Sequence, residues 1–194
     1  VAKTLLAAQG HVLQAAQFPL PAWSVAKVLA ILQAANDSAG GLDGWKPIQW
    51  RHVTAAAAQW LISLFELFED GVAWPKSSTK ARAAFLLKPS TTPDDPLSFR
   101  LLTILSVLYR FWAKCRLADL APLIAAWATP HLFSSVAGAG AQDGWVSTSI
   151  VFEEARMTDT PFAGGVADIW KCFDQVRREP AIVAAVLAGF PLAL

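Results

Sequence analysis

The sequence has few of the residues from which metal sites and catalytic triads are usually built. Its 194 residues include two cysteines and three histidines. Cys115 and Cys172 lie far apart without metal-ligand spacing, and a reduced, intracellular setting is the default for so few cysteines. His11, His52 and His131 have no partner at a spacing typical of a metal site or a triad. These counts argue against zinc or triad chemistry built from these residues.

Charge is also scarce. Sixteen basic and fifteen acidic residues give a net charge of +1, which is too small to indicate a polyanionic partner by itself. The local distribution is more informative, because a basic cluster precedes the next acid, Asp119. This cluster consists of Arg100, Arg110, Lys114 and Arg116.

Long apolar runs are absent, although 55% of the residues are hydrophobic and the mean hydropathy is +0.40. Residues 120–142, one of the two longest stretches without a full charge, contain Pro122, Pro130 and two glycines. They cannot form a continuous membrane-spanning helix, so we expect no membrane span. Alanine and nine tryptophans account for much of the hydrophobicity, which indicates core or a missing partner surface.

Periodicity predicts a helix-rich α+β protein. Helical patterns precede residue 36 and recur at residues 50–70, 106–119, 142–156 and 178–187. Residues 83–87 and 162–169 are predicted strands, and residues 101–105 fit a strand or the start of a helix. The predicted apolar face of the helix at 50–70 consists of Val53, Ala57, Trp60, Leu61, Leu64, Phe65 and Phe68. Trp45, Trp60, Trp112 and Trp145 are interpreted as core packing rather than as base-stacking platforms.

The segment Gly164–Val176 has the chemistry of a metal site. Its apolar run ends in Asp168, and a second aspartate, Asp174, follows Phe173. A carboxylate at the end of a buried strand is costly unless a cation meets it, and hard oxygen ligands suit Mg²⁺. The alternative is that Asp168 caps a helix beginning near Phe173.

Five segments occur in the order found in one polymerase family. They are Gly41–Trp45 (G-L-D-G-W), Leu86–Pro89 (L-L-K-P), Phe99–Trp112, Gly138–Trp145 and Asp168–Asp174. Together they resemble the upstream turn, the fingers and the first palm motif of non-LTR retrotransposon reverse transcriptases. The resemblance covers roughly residues 40 to 191.

This resemblance implies the helix-rich fingers and partial palm of a right-hand polymerase fold. Residues 1–40 would be a helical extension, 41–160 a fingers-like region and 161–194 the start of the palm. An intact enzyme would copy an RNA template from a DNA primer with deoxynucleoside triphosphates (dNTPs) and Mg²⁺. Such an enzyme would act inside the cell, and a nuclear location is compatible with the resemblance, but the sequence does not fix the compartment.

The resemblance also assigns residue roles. Asp168 would be the catalytic metal ligand, assisted by the backbone carbonyl of Ile169, and Phe173 would lie under the incoming sugar. Lys88 and Arg100 would neutralise the triphosphate. Three helical cations would contact a phosphate backbone: Arg110, Lys114 and Arg116. Judged by spacing alone, these cations fit a solvated surface and Phe173 fits a core position.

Departures from the family pattern limit the expected activity. Leu101 replaces a proline and Ala139 an arginine, and the chain ends at Leu194, before the motifs with the remaining catalytic carboxylates. One aspartate cannot hold two metal ions, so we expect this chain to be inactive without the remainder of the palm and thumb. The alternatives are a non-catalytic nucleic-acid-binding remnant and a helical protein-interaction module.

Overall fold

The computed structural model describes residues 17–89, 91–134, 136–168 and 175–191. These residues confirm a helix-rich chain with one small antiparallel sheet, which is compatible with the predicted α+β class. The chain divides into two compact units. The first is Leu20–Asp119, and the second consists mainly of the described residues between 120 and 191. Within the described ranges, no helix is both long enough and apolar enough to cross a bilayer.

Three helices build the core of the first unit: α1 (Val25–Gln33), α2 (Ala55–Glu69) and α4 (Val107–Trp127). Each contributes apolar residues at the three- and four-residue spacing of a helix face. The buried core consists of Val28, Leu32, Ala35, Ala58, Ile62, Val107, Phe111 and Cys115. A 3-10 helix, Pro47–His52, precedes α2 and packs Trp50 against Phe111, with ring centroids 5.5 Å apart.

Helix α2 begins after Thr54, whose side chain accepts a hydrogen bond from the Ala57 N–H. Its buried residues are Ala58, Ile62, Phe65 and Phe68, so the prediction was correct for Phe65 and Phe68 but wrong for the face as a whole. The helix is apolar around much of its circumference, so periodicity alone did not decide which stripe faces the core. The stripe with Ala57, Trp60 and Leu64 lies instead along an open groove.

A β-hairpin follows the short helix α3 (Lys76–Thr79). Strand β1 (Arg82–Leu87) pairs antiparallel with β2 (Phe99–Ile104), with Arg82 opposite Ile104 and Leu87 opposite Phe99. The predicted strand at 83–87 is thereby confirmed, and the ambiguous segment at 101–105 is mostly strand. Helix α4 continues past the predicted end at Asp119 to Trp127, although it contains Pro122. An interior proline removes one backbone hydrogen bond and bends a helix without always ending it.

The turn at Gly41–Gly44 attaches a loop to the start of α4. The Asp43 carboxylate accepts a 2.8 Å hydrogen bond from the Val107 N–H, which is one of the donors left unpaired at a helix N-terminus. A Cβ on Gly41 would meet the Leu105 carbonyl oxygen at 2.6 Å, and Gly44 has a φ of +72°. The glycines of this turn are therefore explained by close approach and by backbone conformation.

The second unit contains α5 (Ala141–Met157) and α6 (Arg178–Leu187), which confirm two predicted helices. Helix α5 has no buried residue, whereas α6 buries Val183 and Val186. The strand predicted at 162–169 is wrong for residues 162–168, which have no regular secondary structure. Two adjacent glycines disfavour a strand here, and no strand among the described residues pairs with this segment. Residues 1–16 and Ile169 to Asp174 lie outside the described residues.

Candidate nucleic-acid interface

The pairing register places the charged side chains of the β-hairpin on one of its two faces, beside Leu86 and Leu102. Side chains alternate along each strand, and directly paired residues project from the same face. Arg100 pairs with Leu86, so Arg82, which lies four residues before Leu86, shares the face of Arg100. Lys88 follows Leu86 by two residues and continues this face, because its N–H bonds to the Ser98 carbonyl at 2.8 Å. The hairpin thus brings three cations to one side, which we call the cationic face.

Two of these cations, Lys88 and Arg100, were predicted to bind triphosphate. They occupy diagonal positions across the two strands, which places their Cβ atoms about 7 Å apart. Arg100 is exposed, and Lys88 is half-buried with its ammonium donating to the Leu97 carbonyl at 2.7 Å. Neither β1 nor β2 contains an acid, and in the described part of the chain Arg100 has no ion pair. The pair can therefore present two adjacent positive charges to an anion.

Arg82 was not predicted, although it shares this face. It pairs with Ile104, four residues from Arg100, which corresponds to about 13 Å along the strand. The even spacing of residues 82 and 88 could have indicated a common face from sequence alone. The position of Arg100 beside Arg82 and Lys88 follows from the pairing register of β1 and β2, which the sequence did not reveal. Arg82 lengthens the cationic face beyond the span of the Lys88–Arg100 pair.

The opposite face of the hairpin is apolar. It carries Phe85, Leu87, Phe99 and Leu101, and Phe85 is 67% exposed. The acids closest in sequence, Asp94 and Asp95, belong to the connecting loop, where Asp95 accepts a hydrogen bond from the Leu97 N–H. A two-stranded hairpin with exposed apolar residues is marginally stable alone, so this face is suited to cover by another surface.

The three predicted helical cations do not form one surface. Arg110 donates to the Ala39 carbonyl at 2.7 Å and to Ser38 Oγ at 2.8 Å, which fixes the loop before the Gly41–Gly44 turn. Lys114 lies four residues later and is exposed. Arg116 is only 5% exposed. It lies two residues after Lys114, and residues two apart on a helix point in different directions. The expectation that Arg116 contacts phosphate therefore does not fit its position.

Arg116 instead belongs to a buried cluster of charges that joins α1, α2 and α4. Its guanidinium bonds to both carboxylate oxygens of Glu69, and it donates to Asp119 at 2.9 Å. It also donates to the Pro21 carbonyl and lies 3.9 Å from the centroid of the Trp23 ring. Lys27 contacts both oxygens of Asp119 at 2.6 Å. The cluster is consistent with a structural role.

Proton affinities in this cluster follow from burial and pairing. Burial alone would raise the pKa of Glu69, but hydrogen bonds from Arg116 and Trp112 outweigh it and lower that pKa below its usual value. For Arg116, burial would lower the pKa, yet the bonds to Glu69 and Asp119 raise it. Burial raises the pKa of the neighbouring Cys115 thiol to about 11. The Glu69 carboxylate thus favours the ionised form, and Cys115 is a neutral thiol.

The expected metal site receives little geometric support. Asp168 is exposed at the end of a segment without regular structure, not at the end of a buried strand. Ile169 and Phe173 lie outside the described residues. Across the described ranges, no group of three His, Cys, Asp or Glu side chains is arranged to hold a metal ion. One exposed carboxylate does not constitute a Mg²⁺ site, since this ion is held by several oxygen ligands.

The tryptophans depart most from expectation. Trp112 is half-buried and donates to Glu69 at 2.9 Å, which fits the predicted packing role. Trp45, Trp60 and Trp145 are 52%, 78% and 74% exposed, so the interpretation as core residues is wrong for these three. Trp45 and Trp60 line a groove of about 380 Å³ in the first unit, and Trp145 lines one of about 600 Å³ along α5.

Comparison with known proteins adds no assignment to this geometry. No protein-family model matches the chain, and no curated protein is significantly similar to it. Functional inference therefore depends on the residues and their arrangement.

Proposed function

We propose that the chain contributes the fingers and the first palm motif of a non-LTR retrotransposon-type reverse transcriptase, and that the cationic face of its hairpin binds phosphate groups. The observation that carries this proposal is the placement of Lys88 and Arg100 on one face of the hairpin, free of acids in either strand. The order of the five motif segments also supports it. The partners would be a dNTP, an RNA template, a DNA primer and the remainder of the palm and thumb.

The chemistry proposed for the hairpin is electrostatic. Nucleotidyl transfer increases negative charge on the leaving phosphates, and fixed cations lower the energy of that state. Arg100 can donate two parallel hydrogen bonds to a phosphate, whereas Lys88 acts as a point charge. Asp168 would be one Mg²⁺ ligand, with the Ile169 carbonyl beside it and Phe173 under the sugar. The described residues do not by themselves complete a Mg²⁺ site.

There are two alternative functions for this chain. A non-catalytic remnant would bind nucleic acid through the same cationic face without carrying out chemistry. A helical protein-interaction module is favoured by one observation: α5 has no buried residue, although Trp145, Ile150 and Met157 are exposed on it. Apolar helical residues of this kind are typical of surfaces that pack against a partner.

The decisive experiment moves charge between the two faces of the hairpin. Arg100→Ala should weaken dNTP binding about tenfold or more, because a hydrogen bond to a charged group contributes about 1.5–3 kcal/mol. The matched control is the double variant Arg100→Ala/Leu101→Arg, which keeps the net charge but places the cation on the apolar face. We expect the control to bind as weakly as Arg100→Ala. Affinity is measured with a fluorescent dNTP at two salt concentrations.

Several outcomes separate the proposals. Equal dNTP affinity in the wild type, in Arg100→Ala and in Lys88→Ala would refute the triphosphate site. Binding of RNA and DNA strands that depends on the three cations, without dNTP binding, would support the remnant. Loss of a protein partner on Trp145→Ala, with no effect of the hairpin variants on any nucleotide, would support the interaction module. Arg82→Ala should leave dNTP affinity unchanged, because this residue lies about 13 Å from Arg100 along the strand.

A further inference from the structure

A second surface of the first unit combines aromatic residues with neighbouring positive charge on the 3-10 helix. The groove between the 3-10 helix and α2 is lined by Trp45, Gln49, Trp50, Val53, Ala57, Trp60, Leu61 and Leu64. Its volume of about 380 Å³ is within the usual range for small-molecule pockets. We propose that this groove is a stacking site for a base of single-stranded nucleic acid. The proposal does not depend on the polymerase assignment.

The aromatic side chains that border the groove differ in exposure and in their contacts with the core. Trp50 is anchored by Phe111 in the core, and Trp45 meets it edge-on, with ring centroids 6.1 Å apart and planes at 83°. Trp60 extends from α2 and is 78% exposed. Two exposed indoles that line one groove form an apolar surface of the kind that ligands cover. Indole faces are suited to bases, because every base has a π-face.

The charge of the lining segment selects a nucleic acid over an apolar peptide. The residues that line the groove include no aspartate or glutamate. Lys46 and Arg51 adjoin lining tryptophans in the chain. Lys46 makes only a long, exposed contact of 4.0 Å with Asp37, and Arg51 donates through Nε to the Ala35 carbonyl at 2.7 Å. An apolar peptide gains nothing from these two cations. A phosphate backbone does, because each neutralised phosphate strengthens binding.

One polar side chain in the groove can recognise a base edge. Gln49 accepts a hydrogen bond from the Lys46 N–H through its carbonyl oxygen at 2.7 Å. This bond fixes the amide orientation and leaves the NH₂ group to donate to a carbonyl of a base. The groove therefore combines planar aromatic walls, one oriented donor and neighbouring cations, which is the usual composition of a single-strand binding site.

The test replaces the indole with a side chain that is equally apolar but not planar. Trp60→Leu removes stacking and keeps the groove hydrophobic, whereas Trp60→Phe retains a π-face. Because Trp60 is so exposed, neither change removes core packing, and unfolding midpoints verify this. The control is Trp145→Leu, which removes an indole of similar exposure from α5 in the other unit. Binding is measured by fluorescence anisotropy with a labelled oligo-dT and with an abasic oligonucleotide of the same length.

We expect Trp60→Leu to weaken oligo-dT binding roughly 5- to 160-fold, since stacking contributes about 1–3 kcal/mol per base. Trp60→Phe should lose less, Trp145→Leu should lose nothing, and the abasic strand should bind the wild type as weakly as oligo-dT binds Trp60→Leu. Equal affinity of the wild type for oligo-dT and the abasic strand would overturn the proposal. A Trp60→Leu variant that binds oligo-dT as tightly as the wild type would also overturn it. If the wild type and Trp60→Leu then both bound an apolar helical peptide in the groove, the groove would be a peptide site.

Discussion

Removal of the Arg116 side chain tests whether the buried charge cluster stabilises the first unit. The Arg116→Ala substitution deletes the bonds to both oxygens of Glu69, the bond to Asp119 and the contact with the Trp23 ring. Breaking a buried ion pair by removing one partner costs about 3–5 kcal/mol, because the remaining charge is left uncompensated. The unfolding free energy of a whole domain is only about 5–15 kcal/mol.

The structure favours a cost at the lower end of the range of about 3–5 kcal/mol for breaking a buried ion pair. Asp119 would keep its contacts with Lys27 at 2.6 Å, so only Glu69 would lose its cation. The Glu69 carboxylate would still accept hydrogen bonds from the indoles of Trp23 at 3.2 Å and Trp112 at 2.9 Å. We therefore expect Arg116→Ala to reduce the free energy of unfolding by about 3 kcal/mol.

Urea unfolding followed by circular dichroism provides the measurement. Arg116→Lys should lose less, because lysine keeps the charge but cannot form the two-pronged contact with Glu69. Lys114→Ala is the control, since this exposed lysine lies on the same helix and its loss should cost no more than about 0.5 kcal/mol. A loss below about 1 kcal/mol in Arg116→Ala would mean that the cluster behaves like a surface ion pair and would refute the argument from burial.

Two further predictions concern titratable groups in and beside the cluster. Because the pKa of Glu69 is lowered in the folded state, its stabilisation is present above the ordinary glutamate value of 4.5 and is lost as the pH falls through the lower folded-state pKa. Glu69→Gln should therefore flatten the acid limb of a plot of unfolding free energy against pH, and an unchanged limb would contradict the assignment. Cys115 is buried and its pKa is raised to about 11, so in a Cys172→Ser variant its thiol should react slowly with a maleimide at pH 8 and quickly in urea. Equally fast labelling of the native protein would show that the thiol is accessible.

The elements that follow from short-range sequence signals were predicted well. Helix α6 has the predicted bounds, because its apolar spacing is a local signal. Strand β1 begins one residue before its predicted start and ends as predicted, where Lys88-Pro89 follows it. Choosing the buried stripe of α2 required knowledge of its neighbours. Its alanine-rich sequence presents several apolar stripes, and contact with α1 and α4 selects the one with Ala58, Ile62 and Phe65.

The candidate sites depended even more on long-range information. Lys88 and Arg100 could be selected by resemblance, but their common face follows from a strand register that hydrophobicity does not encode. The groove was missed because exposed tryptophans contradict the usual rule for apolar residues. The strand expected before Asp168 was not found, because an apolar run needs a neighbouring strand as well as hydrophobicity.

Charge placement explains how a chain with a net charge of +1 can present two surfaces suited to polyanions. Residues 20–119 contain eleven basic and eight acidic residues. Glu69 and Asp119 are paired in the core, Asp43 and Asp95 accept backbone N–H bonds, and Asp37 makes a long contact with Lys46, so five of these acids have partners within the fold. Only Arg116 and Lys27 are used to balance the two core acids. The excess positive charge therefore remains with residues such as Arg82, Arg100 and Lys46, where an anionic ligand would meet it first.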